Sequence, residues 1–426
     1  MANRDGSMGT KQERCSPSAV DWSNLPDDLL GMVTVRVASP LGRVRFTAVC
    51  RSWRAAASQH PTPPALPLLL LSPVDRGTVT EKRLIYCPEE SVVLQVPIPS
   101  KLRNMQFIGS YDGGWIAAIG RSSSDYDGGW MGAVDGSAMF LIVNLFSGVE
   151  VPLSQKQRNF RLSDHNEQDF IWKIIFSEVP TSGSCILVAM TAGCKIALCK
   201  IGCPDGGWTI QGCDMEPVGD IIFCRQELYG LGHSKTLCTF DIGVNEDGAP
   251  IVTAAYPMDV RRGGDPMYMS WFLDDASYIC ELNGKLAVAV MSRWLRNCKP
   301  FFKVFQVTNV DDDAHKYEWE EVRSLGDRAL FLGQLCSSKV VQIPAGGRGG
   351  VERNRIYYSS HHSGASKEDQ EFEEEYITKS EYGDPMFHRK DQRVDNVDGD
   401  VERILSVRYY IKGGHHLPMW CLPPDI

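Results

Sequence analysis

One change of rhythm constrains this chain more than any other feature. After about residue 68 apolar residues stop recurring at helical spacing, and short strands separated by turn residues take over. Residues 83–86 (RLIY) and 92–96 (VVLQV) flank a Pro-Glu-Glu turn, and 139–143 (MFLIV) and 149–151 (VEV) flank Asn144 to Gly148. Residues 185–189 (CILVA) run to 195–199 (KIALC) across Thr191-Ala192-Gly193. Further pairs surround Arg225-Gln226-Glu227 and Leu282-Asn283-Gly284-Lys285, the second with an Asn-Gly hairpin signal. A mainly β fold built of consecutive hairpins follows.

One tetrapeptide recurs in this region. Asp-Gly-Gly-Trp stands at 112–115, 127–130 and 205–208. A glycine pair supplies the positive φ that a tight turn wants, and each turn is expected to deliver its Trp into the next strand. Repeated turn-plus-aromatic units among successive hairpins point to a propeller or another radial β array.

Residues 21–60 keep the other period. Pro26 is expected in a first helical turn, where its missing N–H costs nothing, and Asp27 and Asp28 oppose the helix dipole. Leu29, Leu30, Val33 and Val37 form one apolar stripe. Ser39-Pro40 restarts the chain into a second helix bearing Leu41, Val44 and Ala48. Val49, Cys50 and Trp53 are assigned to a third, stopped by His60-Pro61. So small a unit keeps much of its surface wet, and its apolar stripe is more plausibly completed by a partner.

The LPDDLL opening at 25–30 and the VCRSW closing at 49–53 make this segment resemble an F-box. The resemblance implies docking to a Skp-family adaptor and, through it, to the cullin of an SCF-type ubiquitin ligase. The residues it assigns to adaptor contact are Leu25, Pro26, Leu29, Leu30, Val33, Val37, Val49, Cys50 and Trp53. Gly31 and the β-branched run Val33-Thr34-Val35 depart from the family's usual Leu and Ile and are poor helix formers.

The β region in turn is similar to the F-box-associated domain of unknown function expanded in plants, particularly grasses. The similarity rests on GSYDGGW (109–115), NLFSG (144–148), SLGDRALFLG (324–333), NRIYY (354–358) and MWCLP (419–423), in that order. It implies a β-propeller-like fold. The second DGGW copy at 127–130 reads as a local duplication lengthening one loop. The expected organisation is a disordered N-terminus (1–20), an F-box (21–60), an extended proline-rich hinge (61–67) and a β domain (68–426). Residues 363–400, rich in charge and poor in apolar side chains, read as an insertion that does not fold alone, or as an acidic docking tail.

Composition excludes several classes. No apolar run of membrane-spanning length and no N-terminal signal segment occur, so a cytoplasmic or nuclear protein is expected. A net charge of −9 argues against nucleic acid, and the arginines at 36, 43, 45, 51 and 54 read as solvated helix faces. Fourteen cysteines without a signal segment fit a reducing compartment. Cys194, Cys199, Cys203 and Cys213 lack the CxxC pairs of a zinc site, and in strands Cys is a small hydrophobe.

Chemistry is hard to find. Gly346-Gly347-Arg348-Gly349-Gly350 lacks the Lys-Ser/Thr of a phosphate loop and reads as a mobile surface loop. DNVDGDVE (395–402) misplaces the ligands of a calcium loop, and His361-His362 and His415-His416 each point to opposite faces of a strand. No catalytic residue, metal or cofactor is expected. The function expected is therefore a non-catalytic substrate receptor. The F-box would hold the adaptor, and the β domain would bind an unknown protein target through loops, with Arg293, Trp294 and Arg296 as the favoured patch. The alternatives are a non-degradative binding protein, or a ligand-binding propeller with a vestigial F-box.

Overall fold

The computed structural model describes residues 22, 25–37, 40–59, 64–71, 82–102, 105–120, 138–160, 171–191, 195–203, 205–211, 217–261, 276–292, 301–311, 316–359, 375–376, 387–391, 404–411 and 417–424. The chain divides into two compact units between Pro64 and Ala65, inside the proline-rich stretch. Ala65 and Leu66, expected to belong to an extended spacer, are buried.

The smaller unit holds three helices, α1 (Asp27–Arg36), α2 (Pro40–Val49) and α3 (Arg51–Gln59). Pro26 is the N-cap of α1 and not its first helical residue, with extended backbone and its carbonyl accepting from Leu30 N. The Val33-Thr34-Val35 run stays helical, and the Thr34 hydroxyl donates to the Leu30 carbonyl. Val49 closes α2 and Cys50 is the link, so neither lies on the third helix as expected. Arg43 also departs from expectation. It is 3% exposed, and its Nε donates to the Val37 carbonyl at the end of α1, a C-terminal cap and not a solvated face.

The larger unit is a β-propeller of six sheets among the described residues. Sheet 1 runs Leu68–Leu71, Lys82–Cys87, Val92–Pro97, with Met419–Cys421 on its other edge. Sheet 2 is Met105–Tyr111, Trp115–Gly120, Ala138–Asn144 and Asn159–Phe160; sheet 3 is Ile171–Phe176, Ile186–Thr191, Ile196–Lys200 and Thr209–Gln211. Sheet 4 is Val218–Cys224, Glu227–Gly232, Leu237–Val244 and Pro250–Pro257. Sheet 5 is Ser277–Leu282, Lys285–Ser292, Phe301–Asp311 and Lys316–Val322, with Val260–Arg261 added in parallel. These five carry the antiparallel four-strand meander of a blade.

Sheet 6 is mixed. Arg328–Leu332, Arg355–Ser359 and Leu405–Ile411 pair in parallel, and Lys339–Gln342 and Phe387–Asp391 flank them. Phe387–Asp391 and Glu375–Tyr376 fall inside the charged stretch expected to remain a loop, yet they extend this sheet. Buried apolar clusters fill the seams between sheets 2 and 3, 3 and 4, 4 and 5, and 5 and 6, and one large cluster joins sheets 6, 1 and 2. The ring is closed by the last strand, since Leu69 pairs with Trp420.

Turn chemistry accounts for the hairpins. Asn283 and Gly284 take φ of 56° and 72°, and Arg225 and Gln226 take 51° and 70° without glycine. The 149–151 segment is not a strand; only Glu150 bridges, to Val143. The glycine-rich loop at 346–350 is not a loose surface loop either. Arg348 is 5% exposed and forks onto Glu89 in the turn of sheet 1.

Candidate functional site

The helical unit builds a small core and leaves an apolar stripe outside it. Leu30, Phe46 and Ala56 are buried together, with Leu25, Val37, Trp53 and Ala57 packed against them. Trp53 lies against Phe46 with ring centroids 4.6 Å apart, and its indole N–H donates to the Trp22 carbonyl. Leu29, Met32 and Val33 recur at i, i+3 and i+4 and are 38%, 48% and 38% exposed. Val49 is 54% exposed and Pro26 is exposed. The nine sequence-assigned residues thus fall into two sets. Pro26, Leu29, Val33 and Val49 face outward. Leu30 is internal, while Leu25, Val37, Cys50 and Trp53 are half-buried, the Cys50 thiol 3.0 Å from the Ser52 hydroxyl.

Three of the β-domain strings converge at one corner. Gly114 N donates to the Leu422 carbonyl, Leu145 N donates to the Gly114 carbonyl, and Asn144 Nδ2 donates to the Gly113 carbonyl. Asn144 Oδ1 accepts from Phe146 N and Ser147 N, which shapes the turn by a side chain mimicking backbone. The Trp115 side chain is buried behind this corner. Leu330, Phe331 and Leu332 of the SLGDRALFLG string are fully buried, and the Leu332 carbonyl accepts from Trp420 Nε1. These strings hold the ring together.

The third DGGW differs from the first. Gly113 and Gly114 adopt φ of 82° and 87°, whereas Gly206 and Gly207 are absent from the positive-φ positions. Trp208 precedes its strand, donates to the Gln157 carbonyl and meets Phe140 edge-on. The second copy and the favoured patch Arg293, Trp294 and Arg296 lie outside the described residues.

Two functional-looking groups escaped the sequence reading. Lys173 Nζ and Asp220 Oδ1 meet at 2.5 Å, with side chains 3% and 9% exposed. Asp220 also accepts from Ile221 N and Ile279 N, so one carboxylate ties sheets 3, 4 and 5. Burial pushes this carboxyl up from its ordinary value, and the Lys173 ammonium pulls against that shift. The signal was legible in IWKIIF and VGDIIF, each with a lone charge third in an apolar strand.

Among the described residues no group of three or more His, Cys, Asp or Glu could hold a metal ion. Cys199 is buried, and desolvation pushes its thiol up to about 12, opposite to what a thiolate ligand needs. No described helix is long and apolar enough to cross a membrane.

Residues 84–381 match the family described as KIB1-4 beta-propeller. The F-box protein SKIP23 of Arabidopsis thaliana is 42% identical over 335 residues, covering 74% of this chain and 78% of that protein. A second Arabidopsis thaliana F-box protein, At2g17690, is 47% identical over 38 residues, which is 9% of either chain.

Proposed function

The chain belongs to the KIB1-4 β-propeller family, and from that premise we propose that it is a non-catalytic receptor subunit of an SCF-type ubiquitin ligase. The 25–59 unit acts as the F-box and docks a Skp-family adaptor, which connects it to cullin. The propeller binds a protein target in the cytoplasm or nucleus. The observation that carries this reading is the Leu29, Met32, Val33 stripe, left exposed by a unit that packs Leu30 inward. Large apolar side chains placed at one-turn spacing on a helix fit the groove of a helical partner. The naming of relatives as F-box proteins supports it.

Such a chain accelerates ubiquitin transfer by position alone. Holding target and adaptor on one body raises the effective concentration of a target lysine near the charged carrier. Among candidate target contacts, Arg293, Trp294 and Arg296 remain the proposed patch.

The test is co-purification of the full chain with a Skp-family adaptor. Each outward side chain buried on docking contributes about 1.5–3 kcal/mol. Leu29→Asp with Val33→Asp should therefore lower affinity roughly a hundredfold or more, with helical circular dichroism retained. Leu30→Ala should lose helicity and adaptor together. Wild-type chain that fails to capture adaptor, beside a control F-box protein that succeeds, overturns the reading.

A further inference from the structure

A half-open cavity of about 160 Å³ lies among sheets 3, 4 and 5 of the propeller, with Gln334 at its margin. Trp172 and Lys173 line it from sheet 3, Asp220 from sheet 4, Ser277 and Tyr278 from sheet 5, and His233 from a turn of sheet 4. Its volume is close to the roughly 150 Å³ that admits one benzene ring. Trp172 brings an indole to its edge, while the Tyr278 ring packs on Phe302 in the core between sheets 5 and 6.

Its polar groups are out of balance in one direction. The Asp220 carboxylate, the one acidic side chain of the lining, already accepts three hydrogen bonds. An ammonium has three N–H groups, and among the described residues Lys173 Nζ uses one, on Asp220. The Lys173 side chain is nonetheless 3% exposed. Among the described residues Trp172 Nε1, which can only donate, and the Ser277 hydroxyl are buried with no hydrogen-bond partner. Buried donors without acceptors are costly and rare in folded proteins. The lining thus sets the Lys173 ammonium beside two further groups able to donate that no described residue pairs.

We propose that the cavity is a binding site for a small organic carboxylate of about one ring in size. The carboxylate would accept from the remaining N–H groups of Lys173 and from Trp172 Nε1–H, and its apolar body would fill the rest of the cavity. A charge-assisted bond to a buried ammonium is roughly twice as strong as a neutral one. The site would thus separate an anion from a neutral molecule of the same shape. It lies wholly within the propeller, and it stands whether or not the helical unit docks an adaptor.

Benzoate, benzamide and benzylammonium are the probes, titrated calorimetrically into purified full-length chain. Benzoate should bind saturably in the millimolar range or tighter, and benzamide at least about tenfold more weakly. Benzylammonium should not bind. Lys173→Met strands a buried carboxylate and can unfold the chain, so Trp172→Phe carries the test, because it removes a donor and keeps a ring. It should weaken benzoate about threefold to tenfold, weaken benzamide less and leave the melting temperature within a degree or so. No saturable benzoate binding, equal binding of benzoate and benzamide, or benzoate binding untouched by Trp172→Phe would each overturn the proposal.

Discussion

Arg348 and Glu89, 259 positions apart, meet in a buried fork, Nε to Oε1 at 3.0 Å and the terminal guanidinium nitrogen to Oε2 at 3.2 Å. Both side chains are 4% exposed. The pair pins the glycine-rich loop before sheet 6's second parallel strand to the turn between Lys82–Cys87 and Val92–Pro97 of sheet 1. A planar guanidinium matches a carboxylate two-fold, so Lys at this position would not reproduce it.

The expected consequence is asymmetric. Arg348→Ala leaves a buried carboxylate alone and should cost about 3–5 kcal/mol. Joint replacement by Arg348→Met and Glu89→Leu removes both charges and should recover most of that loss. Urea unfolding curves of wild type, single and double variants decide it. Equal losses in single and double variants would show that the loop, and not the charge pair, holds the contact.

The next residue separates backbone strain from crowding. Gly349 and Gly148 have φ of 57° and 71°, so an added side chain meets the same left-handed penalty at both, about 1–2 kcal/mol. At Gly148 a Cβ meets nothing within 4 Å, while at Gly349 it would lie 1.6 Å from the Glu89 carbonyl oxygen. Gly349→Ala should therefore lower the thermal midpoint clearly more than Gly148→Ala. Equal shifts would mean that the loop moves off the hairpin at little cost.

Closure of the ring rests on Trp420. It is 1% exposed, meets Phe331 and Tyr409 edge-on at 5.0 and 5.5 Å, and donates to the Leu332 carbonyl. Trp420→Ala should cost about 3–5 kcal/mol, and Trp420→Phe less. Because Trp420 pairs with Leu69, amide exchange at Leu68–Leu71 should speed up before exchange in sheet 4 does. Uniform acceleration over all sheets would instead mean that the propeller opens as one unit.

What was legible in the sequence was local. The Asn283-Gly284 turn could be read because two positive φ values need those residue types within four positions. The partner of residues 68–71 could not, because it sits at 419–421 and no local pattern names a strand so far away. Arg348 and Arg43 looked solvated for the same reason: their acceptors, Glu89 and the Val37 carbonyl, appear only after folding. The third DGGW was misread because Gly-Gly permits a hairpin turn without requiring one. In the 25–59 unit helical spacing marked the apolar positions, yet did not separate Leu29, which faces out, from Leu30, which faces in. Neighbours on a helix differ by about 100°, and only packing against Phe46 decides which of them turns inward.

Stability should also fall in alkali, with a sign set by the buried thiols. Desolvation pushes Cys199, Cys280 and Cys421 up to about 12 from an ordinary 9.0. Below that ordinary value the thiols are protonated in both states and contribute no pH dependence. Above it the unfolded chain loses protons that the folded chain keeps, so unfolding becomes more favourable as pH rises. Each such thiol contributes a loss of about 1.4 kcal/mol per pH unit until its folded value is reached. Lysines and tyrosines titrate in the same range, so the measurement is a difference between wild type and Cys280→Ala. The variant starts less stable at pH 8 because it opens a gap in the core between sheets 5 and 6. Its urea midpoint should then fall less steeply than that of the wild type between pH 8 and pH 10, and the two curves should converge. Parallel curves would mean that the Cys280 thiol ionises as readily in the folded chain as in the unfolded one, and would overturn the prediction.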